Sequence, residues 1–281
     1  MHFRQATGAT VHDELHRVRM AHVKDLLLNT SKPISFIASI CGFANDNYLQ
    51  FVKKIKQIAA DNGITCNQAH APFPTCCKEI RDFHERALEC AAVAGAKCCV
   101  VHPDNNKTPE ENAEMYFGLL PKAKEYGVKI ATENMWNWDL KEDHALVCAC
   151  SDKKNFCAQM DALKDDYFVA CLDIGHAEMK GLNTSAVELI DALGQRLAAL
   201  HIHDNDLWHD THTIPFSMNI DFVPIVKALK RVGYSGDFTL EADAYLGLNH
   251  YTVENVFDGV KNLADSAKKL AKLYEEVSEN E

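Results

Sequence analysis

Apolar residues in the first 56 positions recur at the spacing of amphipathic helices. The first apolar stripe comprises Val11, Leu15, Val18, Val23, Leu26 and Leu27. A second short helix is predicted over residues 34–40; Gly42 breaks it, and a third helix begins near Asn45. Two short helices around a turn that contains Gly form a helix-turn-helix unit. Residues 1–56 are therefore predicted to be a small all-α segment.

From residue 57 onwards, short apolar runs alternate with amphipathic stretches. Strands are predicted over residues 64–69, 97–101, 128–131, 168–172, 197–202 and 237–240. Helices are predicted over residues 77–94, 152–163, 185–193, 222–232 and 253–274, and another begins at Thr108-Pro109-Glu110-Glu111. This alternation requires a parallel sheet and favours an α/β fold of the (β/α)8-type (TIM) barrel class.

The predicted strands are two fewer than a complete barrel needs. The barrel is therefore predicted to lack its first two β/α units, and the chain divides into residues 1–56 and 57–281. A barrel without two strands exposes two strand edges and part of its core. Three interpretations stay open: a recombined fragment, a barrel covered by the N-terminal helices, and a homo-oligomer.

A metal-competent residue stands at the carboxyl end of every predicted strand: His70, His102, Glu133, Asp173, His203 and Glu241. Parallel barrels carry their active sites at that edge of the sheet. Buried ionisable groups need a partner or a metal, so these residues are predicted to form one site. Two Glu, one Asp and one His are mainly oxygen donors, which suit Mn²⁺ or Mg²⁺, with Co²⁺ or Zn²⁺ as alternatives.

Composition and charge indicate where the chain is expected to be located and which part of it could bind DNA. No apolar run approaches the length of a membrane span, and the first residues lack the apolar centre of a signal peptide, so a cytoplasmic protein is expected. The 11 cysteines are then expected to be reduced. Residues 1–56 carry eight Lys/Arg against four Asp/Glu, a balance of +4, whereas the remainder carries 21 against 36, a balance of −15. Only the first segment has a charge that suits DNA.

The stretch "ISFIASICGFANDNY", together with the helical pattern before it, resembles the second helix-turn-helix of AraC/XylS-type transcription regulators. The resemblance covers about 48 residues. It implies a recognition helix whose DNA-binding residues are Asn45, Asn47, Tyr48 and Gln50. Such regulators carry two of these units, and this chain has only the second. Both a remnant that no longer binds DNA and a segment that still binds it stay open.

The motifs "QAHAPFP", "VVHPD", "ATENM", "LDIGHAEMKG", "LHIHDND", "DTHTIPF" and "TLEAD" resemble the xylose-isomerase-like barrel superfamily of sugar-phosphate isomerases and epimerases, to which endonuclease IV also belongs. The resemblance implies the metal ligands Glu133, Asp173, His203 and Glu241, with the two glutamates also acting as the acid/base pair. The residues then expected to contact a small sugar or polyol are His70, His102, Trp136, His176, Asp210 and His212.

These observations predict a metal-dependent sugar or sugar-phosphate isomerase or epimerase. One alternative is an AraC-type DNA-binding regulator whose barrel senses a sugar. Another is a zinc nuclease of the endonuclease IV kind, because the pair Asp210 and His212 completes that enzyme's ligand pattern. The balance of −15 over residues 57–281 would repel a DNA backbone and favours sugar chemistry.

Overall fold

The computed structural model describes Lys24 and residues 48–248, 251–252 and 254–278. The helices predicted before residue 48, and with them Asn45 and Asn47, lie outside the described residues apart from Lys24. The described part of the barrel begins with the helix that starts at Tyr48.

Five parallel strands form the central sheet, in the order β1-β2-β3-β6-β7. The strands of the described residues are β1 (Gln68–His70), β2 (Cys98–Val100), β3 (Lys129–Glu133), β4 (Asn137–Asp139), β5 (His144–Leu146), β6 (Phe168–Asp173) and β7 (Leu197–His201). β4 and β5 pair with each other as a separate antiparallel hairpin. The sheet is a half-barrel of parallel strands, which confirms the predicted α/β class of TIM-barrel type.

Helices alternate with the strands of this sheet. They are α1 (Tyr48–Asp61), α2 (Lys78–Arg81), α3 (His84–Ala94), α4 (Pro109–Tyr126), α5 (Lys153–Ala162), α6 (Ile174–Ala177), α7 (Ala186–Leu193), α8 (Phe222–Arg231), α9 (Ala244–Leu248) and α10 (Val256–Glu276). α4 begins with the predicted capping box, in which the side chains of Thr108 and Glu111 each accept a hydrogen bond from the other's backbone N–H. Within the described ranges, no helix is long and apolar enough to cross a membrane.

Several local elements differ from the prediction, and the short helices α6 and α9 were not expected. The helix predicted over residues 77–94 is divided into α2 and α3, because the Phe83 N–H bonds to the Ile80 carbonyl only three residues back and tightens the chain there. The hairpin of β4 and β5 was not predicted at all. Its strands are three residues long, too short to show a period of two in the sequence.

The two edges of the sheet approach each other through side chains. The strand predicted over residues 237–240 makes a single parallel bridge, between Ile202 and Leu240. Across the opening, the Asn67 side-chain amide donates to the hydroxyl of Thr239 at 2.8 Å. Apolar side chains are exposed on helices that adjoin these edges in the chain, namely Phe51, Ile55 and Ile58 on α1 and Phe257 and Val260 on α10.

Alternating side chains along the strands build the floor of the site. Small and apolar residues form one buried cluster: Cys98, Val100, Ala131, Val169, Cys171 and Ala199. Two positions further along the same strands stand His102, Glu133, Asp173 and His201. Because side chains two apart face the same side of a sheet, these polar residues lie directly above the apolar cluster. The pleat thus collects them at the carboxyl edge, as predicted for a parallel barrel.

Two of the residues predicted to contact DNA, Tyr48 and Gln50, lie on α1, which packs against the barrel. The Tyr48 hydroxyl donates to the Glu89 carboxylate on α3, and the guanidinium of Arg86 lies 5.4 Å from the centre of the Tyr48 ring. Lys56 donates to the carbonyl of Val93 at 2.9 Å. The side chain of Tyr48 is therefore bound to the barrel, whereas Gln50 is exposed.

Candidate metal centre and catalytic site

The carboxylate of Glu133, which is 1% exposed at the end of β3, has four imidazoles within 4.0 Å, those of His70, His102, His176 and His201. Its Oε2 lies 3.1 Å from Nε2 of His102 and 3.7 Å from Nε2 of His70. The same two imidazole nitrogens are 3.0 Å apart, with the rings edge to face. His70, His102 and Glu133 therefore form a group that could hold a metal ion.

His201, the last residue of β7, lies between the two glutamates that were predicted to transfer protons. Its Nδ1 is 2.9 Å from Oε1 of Glu133 and 2.8 Å from Oε2 of Glu241. Glu241 is fixed in place because its backbone N–H donates to the carbonyl of Ile202 at 3.0 Å. Ligand atoms of Glu133, Asp173, His201 and Glu241 all lie within 4.8 Å of one another. We call these four residues the central group.

Asp173 is held in the central group by the turn that ends β6. It caps α6, where its Oδ1 accepts the backbone N–H of His176 at 2.7 Å. The side-chain amide of Asn134 accepts the Asp173 N–H at 2.7 Å and donates to the Asp173 carbonyl at 2.8 Å. Both contacts fix the backbone, so the fully buried carboxylate keeps a defined direction.

A second group of ligand atoms lies beside the central one and consists of His176, His203, Asp210 and His212, here called the outer group. Asp210 connects its members: Oδ1 is 3.3 Å from Nε2 of His203, and Oδ2 is 3.1 Å from Nε2 of His212 and 3.3 Å from Nε2 of His176. The rings of His203 and His212 are stacked at 4.2 Å. His203 also reaches the central group, since its Nε2 is 3.1 Å from Oδ1 of Asp173.

The protonation of these groups follows from their neighbours. Burial alone would raise the pKa of the Glu133 carboxyl, but the imidazoles of His201 and His102 outweigh it and hold the pKa well below its usual range. Burial alone would lower the pKa of His212, but the hydrogen-bonded carboxylate of Asp210 raises it to about 9. Protons and metal ions compete for these imidazole lone pairs, so metal binding would release protons.

Several buried ligand atoms form no well-aligned hydrogen bond, although imidazole nitrogens or carboxylate oxygens lie close to most of them: Glu133 Oε2, Asp173 Oδ2, Asp210 Oδ1, Glu241 Oε2 and His203 Nε2. Buried polar atoms are normally paired, and an unpaired buried charge is costly. A divalent cation would satisfy these atoms, so the residues present fit a metal. The central group, with three carboxylates and one imidazole, suits Mn²⁺ or Mg²⁺, while the three imidazoles of the outer group suit Zn²⁺ better.

A cavity of about 500 Å³ opens above these groups. Trp136 forms part of its wall and is anchored because its indole N–H donates to Oδ2 of Asp210 at 3.3 Å. Trp138 lies behind Trp136 and stacks on His209, with ring centres 5.6 Å apart. The volume and the concave shape suit a small ligand.

The structure brings most of the predicted site residues together, but in three adjoining groups where one was expected: the central group, the outer group and the group of His70, His102 and Glu133. Glu133, Asp173 and Glu241 share the central group, but the imidazole beside them there is His201, which the sequence analysis did not single out. The sequence did contain a signal for His201: it stands two residues before His203, and side chains two apart in a strand point to the same side of the sheet. His203 as the fourth metal ligand stays a prediction, and so do the roles of the other site residues.

The chain is similar in sequence to known proteins. The chain is 27% identical over 216 residues to the uncharacterized protein MJ1311 of Methanocaldococcus jannaschii; the match covers 72% of this chain and 64% of that relative, less than two thirds of its length. A stretch of 50 residues is 42% identical to the HTH-type transcriptional activator RhaR of Klebsiella pneumoniae and covers 18% of each chain. That short match is consistent with the helix-turn-helix resemblance, and DNA binding stays a prediction.

Two solved structures share the fold. A zinc-bound IOLI protein superimposes with a TM-score of 0.62 at 18% identity, over 81% of this chain and 84% of that one. A D-tagatose 3-epimerase-like protein superimposes with a TM-score of 0.61 at 19% identity, over 81% and 87% of the two chains. The family described as xylose isomerase-like TIM barrel matches residues 36–273. This chain therefore belongs to the xylose isomerase-like TIM barrel family.

Proposed function

We propose that this chain is a metal-dependent isomerase or epimerase of small sugars or polyols, with Glu133 and Glu241 as the proton-transferring pair. One observation carries the proposal: both carboxylates lie within 3 Å of Nδ1 of His201 and both line the same cavity. Membership of the family and the fold shared with an epimerase-like protein support it.

Two carboxylates at one substrate carbon can move a proton between its faces. The ionised carboxylate removes the proton next to a carbonyl, the electron pair of the C–H bond forms a C=C bond to the carbonyl carbon, and the carbonyl π pair moves to the oxygen. In an epimerase the other glutamate, in its protonated form, returns a proton to the opposite face of the same carbon while the C=O bond re-forms. In an isomerase the proton goes to the former carbonyl carbon, and the hydroxyl proton of the first carbon passes to the former carbonyl oxygen as the new C=O bond forms. The lowered pKa of Glu133 keeps its carboxyl ionised at neutral pH, which is the form that a base or a metal ligand requires.

A divalent ion held by the central group would polarise the substrate carbonyl and favour loss of the adjacent proton. Mn²⁺ or Mg²⁺ fits that donor set, with Co²⁺ or Zn²⁺ as alternatives. His203 remains a candidate ligand because of its 3.1 Å distance to Asp173. His102, His176, Asp210 and His212 line the cavity with Trp136 and would orient substrate hydroxyl groups, while His70 supports His102.

The test is exchange of the substrate C–H proton in D₂O, followed by NMR on a panel of ketoses with the Mn²⁺-loaded protein. Glu133→Gln and Glu241→Gln should each reduce exchange at least about a hundredfold, because each removes one proton carrier. Glu275→Gln changes an exposed carboxylate on α10 in the same way and should leave exchange unchanged. Undiminished exchange in both cavity variants would refute the assignment.

A zinc nuclease is the second candidate, and one observation favours it. Besides the central group, the described residues form the outer group and the group of His70, His102 and Glu133, so three ions could bind side by side. Incubating the zinc-loaded protein with a duplex that contains an abasic site decides the matter. Strand cleavage would favour the nuclease, and an intact duplex would remove it.

A further inference from the structure

A second cavity, of about 640 Å³, lies beside the cavity above the central group. The same three residues line both cavities where they meet: Phe73, His212 and Glu241. The His212 Nδ1–H donates to the Glu241 carbonyl at 2.9 Å, so two of the shared residues are held together. The second cavity therefore begins at a residue of the central group.

The wall of the second cavity is mainly apolar. Its other residues are Leu240, Ala242, Asp243, Ala244 and Leu263. Ala242 is buried, whereas Leu240, Ala244 and Leu263 are half-buried, so these three still have apolar surface that a ligand can cover. The Asp243 side chain is 88% exposed, which places its charge in solvent at the mouth of the cavity. The interior thus suits an apolar part of a ligand.

Phe73 stands between the two cavities. The centre of its ring lies 4.9 Å from that of His102 and 5.5 Å from that of His70, so it covers the imidazoles beside Glu133. Phe73 is nevertheless 56% exposed. A large exposed aromatic side chain next to an apolar wall is a place where a ligand can bury further apolar surface.

The two cavities differ in chemistry. The first is lined by carboxylates, imidazoles and the amides of Asn105, Asn106 and Asn137, all of which can form hydrogen bonds with hydroxyl groups. The second offers mainly apolar side chains. A ligand that fills both cavities must therefore carry hydroxyl groups at one end and an apolar group at the other.

We propose that the substrate is a ketose with an apolar substituent at the end of its carbon chain, and that the second cavity binds this substituent. The inference rests on the proposed function for the position of the sugar, but the preference for a substituent arises from the second cavity. A part of the substrate is the occupant, because a sugar in the first cavity would already reach the three residues that the two cavities share.

Calorimetry of the Mn²⁺-loaded protein with 6-O-acetyl-D-fructose and 6-O-hexanoyl-D-fructose measures this preference without any turnover. Burial of one CH₂ group strengthens binding about fourfold, and ordering of the chain offsets part of that gain. The hexanoyl ester has about four more such groups, so we expect it to bind at least about tenfold more tightly. Equal binding of the two esters, or no detectable binding of either, would overturn the inference. Equal binding is also the result expected if a protein segment fills the second cavity.

The D₂O exchange assay, run on D-fructose and on the same two esters, tests the proposed function separately. Tighter binding of the hexanoyl ester without exchange in any of the three compounds would overturn only the proposed chemistry. Exchange with D-fructose, together with equal binding of the two esters, would overturn only the inference about the second cavity.

Variants of the apolar wall show where the hexanoyl chain binds. Leu263→Asp puts a carboxylate into the wall, and Val260→Asp makes the same kind of change at an exposed position one turn earlier on α10. Leu263→Asp should lower the ratio of hexanoyl to acetyl affinity at least about fivefold, because the chain would meet a charge, and Val260→Asp should leave the ratio unchanged.

Ala244→Leu tests the same wall without adding a charge. The larger side chain would occupy part of the second cavity and should also lower the ratio of the two affinities. Thermal melting of each variant establishes that it is folded before its affinities are compared. An unchanged ratio in both Leu263→Asp and Ala244→Leu would mean that the hexanoyl chain binds elsewhere, and the inference would be wrong.

Discussion

Gly175, in the turn that follows β6, leaves room for the imidazole of His203. A methyl group built on its Cα would stand 1.9 Å from Cε1 of His203 and 2.2 Å from Nε2, whereas ordinary contacts begin near 3.4 Å. In Gly175→Ala the imidazole would have to move by about 1.5 Å. It cannot tilt away freely, because it is fully buried and stacked on His212 at 4.2 Å.

The size of the effect follows from that displacement. Overpacking a buried site costs about 1 to 3 kcal/mol, which for a domain of this size lowers the melting temperature by roughly 2 to 10 °C. The movement also breaks the 3.1 Å approach of His203 to Asp173 and the 3.3 Å approach to Asp210. Metal affinity of the outer group should fall at least about tenfold, and a displacement of this size near reacting groups costs about a hundredfold in rate.

Thermal melting, metal content after dialysis and D₂O exchange would be compared between wild type and Gly175→Ala. Gly118→Ala is the matched control, because the added methyl group meets no atom within 4 Å inside α4 and should stabilise the helix by about 0.5 to 1 kcal/mol. If Gly175→Ala melts and binds metal like the wild type, the close approach to His203 is not a constraint and the reasoning fails.

Three further predictions concern other parts of the molecule. Burial lowers the pKa of His84, so the imidazole binds a proton more readily in the unfolded chain than in the folded one. The free energy of unfolding should therefore fall as the pH drops below about 6.5. Urea titrations should show a smaller fall in this free energy between about pH 5 and 7 for His84→Gln than for the wild type. A parallel slope in both proteins would contradict this. Tyr48→Phe removes the hydrogen bond to Glu89 and should lower the free energy of unfolding by up to about 1 kcal/mol, measured in urea; no change would mean that α1 is not held there. Metal analysis of His201→Gln should show loss of the central ion, and that of His203→Gln loss of the outer one; the opposite assignment would restore His203 as the central ligand.

Much of the framework follows from short-range patterns. The strand–helix alternation predicted the parallel sheet, and the ends of the strands pointed to Glu133, Asp173 and Glu241, because the pleat and a parallel direction put such residues at one edge. The start of α4 could also be predicted from the sequence, because the capping box of Thr108 and Glu111 involves only residues close together in the chain. These features depend on interactions within one strand or one turn.

The choice between His201 and His203 depended on tertiary structure. Both imidazoles lie on the same side of the chain at the end of β7, so the sequence alone could not distinguish them. The carboxylates that separate them come from three distant segments: Glu241 follows the bridge to Ile202, Glu133 ends β3, and Asp210 lies in the loop after β7. Only when the sheet is assembled do those carboxylates meet one imidazole and leave the other to the outer group. Local periodicity thus determined which side chains reach the edge of the sheet, whereas long-range packing decided which of them share a ligand site.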